Sequence, residues 1–297
     1  MKILVIGKTG QLGKSISKLI VSKKQSHDFV FVGREELDLN KTLSITSFFN
    51  NNSFDVIINC AAYTLVDKAE EEVNLANQVN HLAVAKLADI AKKQHSKLIH
   101  ISTDYVFDGK ANKPYKEKNK TNPINVYGKT KLDGERSIQK ILSHNLIIIR
   151  TSGMYSEFSN NFVDKILMIG REQKEIKIVC DQIVSPTYAS DLAEAIITII
   201  NSKKFGKDNQ KAQIYHYSST DEVSWYDFAK EVFELSNIKL KIHPTKLNEF
   251  STIAKRPMYS ALDTDKIFLD YNVKTFDWKN SIKKLFASEI FINKLEI

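Results

Sequence analysis

An α/β fold, a doubly wound parallel sheet with a smaller C-terminal substrate-binding lobe, is what this sequence predicts. Three observations carry that reading. Short runs rich in Ile and Val recur through the first half of the chain, separated by segments of helical period. The first run passes directly into glycines and then a helix. After residue 152 the alternation loosens. At 297 residues and 42% hydrophobic content, the chain can bury one large core with an appendage.

Residues 2–7, KILVIG, are a short apolar run closed by glycine, the pattern of a buried strand. Ile16, Leu19 and Ile20 then recur at helical spacing. FVFVG (29–33) predicts a second strand, DVIINCA (55–61) a third, KLIHIST (97–103) a fourth and NLIIIRTS (145–152) a fifth. Between the third and fourth, Val79, Leu82, Ala83, Leu87 and Ile90 fall on one helical face. Strands this apolar, joined by helices, belong to a parallel sheet covered on both faces. Such sheets bind ligands beyond the carboxyl ends of their strands. Residues 1–152 are expected to form the main domain. DLAEAIITIINS (191–202) then predicts a helix, IYHYSS (214–219) a strand, and SWYDFAKEVFELS (224–236) a helix with Ser224 as N-cap. Segments near 181–201 and 214–219 are expected to return to the main domain, with 153–297 otherwise forming the lobe.

The net charge is +8, and the lysines are spread along the chain apart from one cluster, GKANKPYKEKNKTN (109–122). The aromatics sit mostly in the patterned apolar segments instead. A solvated surface is therefore favoured over a nucleic-acid interface, and small anionic ligands suit the balance. No run approaches the roughly 18 apolar residues of a membrane span, and the N-terminal run is too short for a signal-peptide core. A soluble cytoplasmic protein is expected. Cys60 and Cys180 fit a reducing compartment and lack metal-ligand spacing.

Gly7, Gly10 and Gly13 follow the first strand with the spacing G-x-x-G-x-x-G. This differs from the commoner G-x-G-x-x-G, but the chemistry is shared. Glycines let the backbone approach a pyrophosphate, whose charge then meets a helix N-terminus. The order strand, glycines, helix points to a dinucleotide. At the end of the second strand, where an acidic residue would hold the ribose 2′-hydroxyl of NAD, the chain has Gly33 and Arg34. An arginine can meet a 2′-phosphate, so NADPH is expected, with NADH also tolerated. The alternative for Arg34 is an ordinary surface position.

In NVYGKTKLDGE (125–135), Tyr127 and Lys131 are spaced i, i+4 and share a helix face. A nearby ammonium favours phenolate and lowers a tyrosine pKa from about 10, so such a phenol could transfer a proton near neutrality. By itself the pair is common. It gains meaning from the glycine loop upstream and from Ser102 and Thr103 at the carboxyl end of the fourth strand.

Glycine loop, strand-end threonine and Tyr-x-x-x-Lys, in this order, resemble the extended short-chain dehydrogenase/reductase superfamily, which has a Rossmann-type sheet. GKTGQLG, NCAAYTLVDKAE, HISTDYVFDG, NVYGKTKLDGE, DQIVSPTYASDLA, SWYDFA and AKRPMYSALDT occur in order over nearly the whole chain. Together they resemble the dTDP-4-dehydrorhamnose reductase family. The resemblance implies that Gly10, Gln11 and Leu12 meet the pyrophosphate. It implies that Asp38 and Leu39 lie near the adenine, and that Ala62, Tyr63 and Thr64 line the cofactor. Thr103 would be the catalytic hydroxyl, Tyr127 the acid and Lys131 its partner. Thr103 and Asp104 would touch the sugar, and Arg256 would lie near the nucleotide diphosphate. The implied reaction is reduction of the C4 ketone of a nucleotide-linked 6-deoxy-4-keto sugar, dTDP-4-dehydro-L-rhamnose giving dTDP-L-rhamnose. A homodimer is compatible with it.

Two departures stand out. The family usually has tryptophan where this chain has Gly153, which removes one wall of the sugar pocket unless another aromatic, such as Tyr155, fills it. Some members carry an acidic residue early in the first helix for an interfacial magnesium; here Ser15 stands there, and no metal is carried over. Rival readings are a related 4-reductase acting on another sugar and a non-catalytic regulatory subunit resembling that of methionine adenosyltransferase.

Overall fold

A computed structural model of the chain describes residues 1–23, 26–158, 161–207 and 211–295. Its centre is a six-stranded sheet. The strands β1 (Lys2–Ile6), β2 (Asp28–Val32), β3 (Val56–Asn59), β4 (Lys97–Thr103) and β5 (Leu146–Thr151) alternate with helices. These are α1 (Gln11–Ser22), α2 (Thr42–Asn50), the short α3 (Val66–Ala69) and α4 (Val73–Asn77), α5 (Ala83–Gln94) and α6 (Val126–Ile141). A sixth strand, Gln213–His216, pairs with the outer side of β5. Across the sheet the order is Gln213–His216, β5, β4, β3, β1, β2, with every pairing parallel.

Alternate residues of each strand face opposite sides, and the two cores divide accordingly. Ile3, Val5, Ile58, Ile99 and Ile149 meet Ile16 of α1 and Ile196 of the helix Ala189–Ile200. Leu4, Ile6, Ile57, Leu98 and Ile148 meet Leu87 of α5 and Ile138 of α6. The chain is thus a doubly wound α/β protein. Ile267, Tyr271 and Val273, from late in the sequence, complete the first core.

A third core gathers Tyr155, Val163, Ile166, Phe228, Val232, Trp278 and Ile282. It joins the helices Phe162–Glu172, Trp225–Ser236 and Trp278–Phe286 to a small parallel pair, Glu175–Val179 with Lys241–Thr245. Ser224 caps its helix by accepting the Asp227 N–H at 3.0 Å. Among the described residues, no helix is long and apolar enough to cross a membrane.

One helical reading needs correction. Leu82 is 47% exposed, not on the buried face with Leu87 and Ile90. Residues Gln78–Leu82 form a π-helical turn before α5. The wider turn inserts a residue and shifts the phase of the apolar stripe.

Candidate active site

The glycine loop brings β1 and α1 into close approach. Gly7 has φ +98°, and a Cβ on Gly13 would lie 2.2 Å from the Gly7 carbonyl oxygen. Gly10 starts α1 without a side-chain cap, and the first turn holds no acidic residue. The first N–H groups of the helix therefore retain their positive end of the dipole. Gly7, Gly10, Gln11 and Leu12 line a cavity of about 940 Å³ over the carboxyl ends of the strands. Gly13 does not line it; it serves the packing of helix against loop. The Gln11 side chain is tied across the site, its Oε1 accepting from Ser156 Oγ at 2.9 Å and Asn161 Nδ2 at 3.3 Å.

Gly33, exposed Arg34, Asp38 and Leu39 form one end of the same cavity. Asp38 Oδ1 accepts the Asn40 N–H at 3.0 Å. Beside Gly33, Lys8 Nζ is paired with Glu36, whose other oxygen accepts the Gly33 N–H at 2.8 Å. Ala62, Tyr63 and Thr64 form the floor after β3. Fully buried Asn80 holds Tyr63 there. Its Oδ1 accepts the Tyr63 N–H at 2.9 Å, while its Nδ2 donates to the Tyr63 carbonyl at 3.0 Å and to Thr130 Oγ1 at 3.2 Å.

At the centre, Asn125 caps α6 by accepting the Gly128 N–H at 2.7 Å. The helix then presents Tyr127 and Lys131 to the cavity, which Ser102, Thr103, Asp104 and Ser152 also line. The Thr103 hydroxyl and the Tyr127 phenol face the same cavity, and Thr103 donates to Asp104 Oδ1 at 2.9 Å. Ser152 Oγ donates to Asp104 Oδ2 at 3.0 Å. Burial pushes the Asp104 carboxyl up to about 6.

The phenol of Tyr127 is shifted opposite to the expected lowering. Burial pushes the phenol up to about 12, Thr103 opposing and Asp104 reinforcing, with no lowering by Lys131. The Lys131 Nζ instead donates to the Ile101 carbonyl at 2.6 Å and lies 3.4 Å from His100 Nε2. Burial lowers that ammonium to about 8. Tyr127 thus keeps its proton at neutral pH. A proton-bearing phenol beside a threonine hydroxyl can serve an oxygen on which negative charge grows.

Two further residues lie as follows. Arg256 does not line the cavity. Its guanidinium grips Asp67 of α3 through two bonds, at 3.1 and 2.6 Å. Tyr155 does not fill the space left by Gly153. It is 1% exposed, with its ring stacked on Tyr188 at 5.6 Å in the lobe core. The indole of Trp225, the first residue of its helix, stands beside Gly153 instead. Sequence reasoning also passed over Asn59, Asn80 and His100. A polar residue inside an apolar strand, as in VIINC and KLIHIST, is the signal that could have found the first and last.

A family model described as "RmlD substrate binding domain" matches residues 1–290. The dTDP-4-dehydrorhamnose reductase of Aggregatibacter actinomycetemcomitans is 38% identical, over 96% of this chain and 98% of its own. The crystal structure of a dTDP-4-dehydrorhamnose reductase from Clostridium acetobutylicum superposes with TM-score 0.90 at 36% identity, over all of both chains. That of the Bacillus anthracis enzyme in complex with NADP does so with TM-score 0.89 at 32% identity, over 96% of this chain and 98% of that one. The chain belongs to the dTDP-4-dehydrorhamnose reductase family.

Proposed function

We propose that this protein is an NADPH-dependent oxidoreductase that reduces the C4 ketone of a nucleotide-linked 6-deoxy-4-keto sugar. The proposed conversion is dTDP-4-dehydro-L-rhamnose to dTDP-L-rhamnose. The observation that carries the reading is that Thr103 and Tyr127 line the same cavity as an uncapped helix N-terminus behind a glycine loop.

The residues present fit a dinucleotide. The loop offers backbone N–H groups with no side chain in the way, and Arg34 stands where a 2′-phosphate would need a cation. Gly10, Gln11 and Leu12 would hold the pyrophosphate, with Gly7 and Gly13 shaping the loop. Asp38 and Leu39 would border the adenine, Ala62, Tyr63 and Thr64 the middle of the molecule, and Lys131 the nicotinamide ribose. When bound, the dinucleotide supplies the hydride. Tyr127 gives its proton to the carbonyl oxygen as the carbon is reduced, and Thr103 orders that oxygen and the phenol. Asp104 fixes the Thr103 hydroxyl. Arg256 would exchange Asp67 for the substrate diphosphate.

In this reading residues 1–152, with the segments near 181–201 and 214–219, bind the dinucleotide, and 153–297 mainly cover the sugar. No nucleic-acid role is proposed. Lys18, Lys116, Lys204, Lys284 and Lys294 are paired with carboxylates. Free thiols at Cys60 and Cys180 suit the cytoplasm.

The test is incubation with NADPH and a panel of dTDP-, GDP- and UDP-linked 4-keto sugars, following loss of NADPH absorbance and the identity of the product. dTDP-L-rhamnose is the expected product. Turnover confined to another sugar would make the protein a related 4-reductase, and none at all would turn the reading to a regulatory subunit.

A further inference from the structure

Beneath the hydroxyl pair, a buried row of polar groups runs from the cavity floor to Lys131. Asn59 ends β3 and His100 sits mid-β4, side by side in register, and neither is exposed. The Ala61 N–H donates to Asn59 Oδ1 at 3.1 Å. Asn59 Nδ2 is 3.2 Å from His100 Nδ1, and His100 Nε2 is 3.4 Å from Lys131 Nζ.

The proton positions follow by elimination. The Ala61 N–H needs an acceptor, so the Asn59 oxygen must face it. The amide nitrogen, which only donates, is left facing His100 Nδ1. That ring nitrogen must therefore be bare. Burial keeps the ring neutral, so its single proton is on Nε2. An Nε2–H directed at Lys131 meets another donor if the lysine is an ammonium, and an acceptor if it is a neutral amine.

We infer that His100 is a positioning residue: with its tautomer fixed by Asn59, it disfavours the ammonium form of Lys131 in the free protein, so that above neutral pH dinucleotide binding draws a proton onto Lys131. A lysine that bonds ribose hydroxyls serves best as an ammonium with three donors. The lowering of Lys131 to about 8 by burial acts in the same direction. The other facing groups leave room for this. Cys60 is pushed up to about 12 by burial and stays a thiol. Tyr127 keeps its proton. Glu135, one turn along α6, favours the ammonium, but both its oxygens are engaged by buried Arg150, at 2.9 and 2.6 Å, and one by Ser102 as well. Asp104 is turned to Thr103 and Ser152.

The inference rests on the dinucleotide reading of the cavity, and its test separates the two. NADPH is titrated into the intact protein by calorimetry at pH 8.5, in two buffers of different ionisation enthalpy. At that pH the 2′-phosphate is fully ionised and adds no proton exchange. Roughly half a proton or more should be taken up per NADPH bound, as a lysine near 8 rises toward its usual value of about 10.4. Lys131→Met should bind without that uptake. In Asn59→Asp, a carboxylate accepts from both Ala61 and His100 Nδ1. The ring proton moves to Nδ1, and Nε2 becomes an acceptor for the ammonium. Uptake should then fall toward zero, and the pH above which NADPH affinity declines should rise by about one unit or more. A merely structural role would weaken binding at every pH, and the charge of the new carboxylate is separated out in Asn59→Asp/His100→Phe, where the limb should rise by less than in Asn59→Asp alone. NADPH binding with no proton uptake by the unmodified protein overturns the inference, as does an unchanged limb in Asn59→Asp. Failure of NADPH to bind at all overturns the dinucleotide reading and the inference with it.

Discussion

The indole of Trp225 lies against Gly153: a Cβ built on the glycine would be 3.0 Å from its Cη2 and 3.4 Å from its Cζ2. Gly153 lines the cavity with φ +50°, a conformation that side chains rarely adopt. The indole behind the glycine comes from a distant helix, and it also packs on Phe162 at 4.4 Å. Gly153→Trp should weaken sugar-nucleotide binding, because the space is taken and the backbone is unsuited. Trp225→Ala should cost roughly 1–3 kcal/mol of substrate affinity and leave NADPH affinity unchanged. Isothermal titration with both ligands checks this, and a Gly153→Trp protein that binds the sugar nucleotide more tightly would refute it.

Tyr127→Phe keeps the ring and removes the proton. The turnover rate should fall roughly 100-fold or more, the scale of general acid catalysis. NADPH binding should hardly change, since the phenyl ring can keep its edge contact with Tyr105, whose centroid is 5.7 Å away. Turnover near that of the unmodified protein would remove the phenol from the chemistry.

Arg34 is exposed at the cavity end beside Gly33, where Lys8 is already held by Glu36. Arg34→Ala should weaken NADPH more than NADH, because only NADPH carries the 2′-phosphate. Dissociation constants for both cofactors decide it, and equal losses would assign Arg34 another role.

Asp104 ties stability to pH. Its folded value of about 6 lies above the ordinary 3.8, so the fold favours the protonated acid. That contribution is complete below about pH 3.8 and is lost as the pH rises through 6. Asp104→Asn cannot ionise. Between pH 4 and 7 the unmodified protein should lose on the order of 3 kcal/mol relative to the variant. Chemical denaturation of both proteins at several pH values measures this, and parallel curves would contradict it.

The sheet and the glycine loop were legible in the sequence for a physical reason. Strands buried on both faces are written as unbroken apolar runs, and a backbone that must approach a ligand calls for glycine at fixed spacing. Lys131 misled because the i, i+4 rule reports which face a side chain shares, not where a long stem ends. Its Nζ reaches down to β4, to partners about thirty positions earlier in the chain. Arg256 holds Asp67 across an even longer separation. The substitution at Gly153 was visible, but the indole of Trp225 beside it was not, because only the folded lobe brings the two together. Leu82 was misplaced because a π-helical turn breaks the period on which the reading depended.

The strand Gln213–His216 and the helix Ala189–Ile200 have a consequence for biosynthesis. A ribosome that has released residues 1–152 has made the pyrophosphate loop and five strands, but nothing yet lies across β5 or shields the inner side of α1. Ile16, Ile99 and Ile149 share a core with Ile196, Tyr215 and Val273. The nascent half therefore carries an open sheet edge and a bare apolar face until nearly all of the chain has emerged.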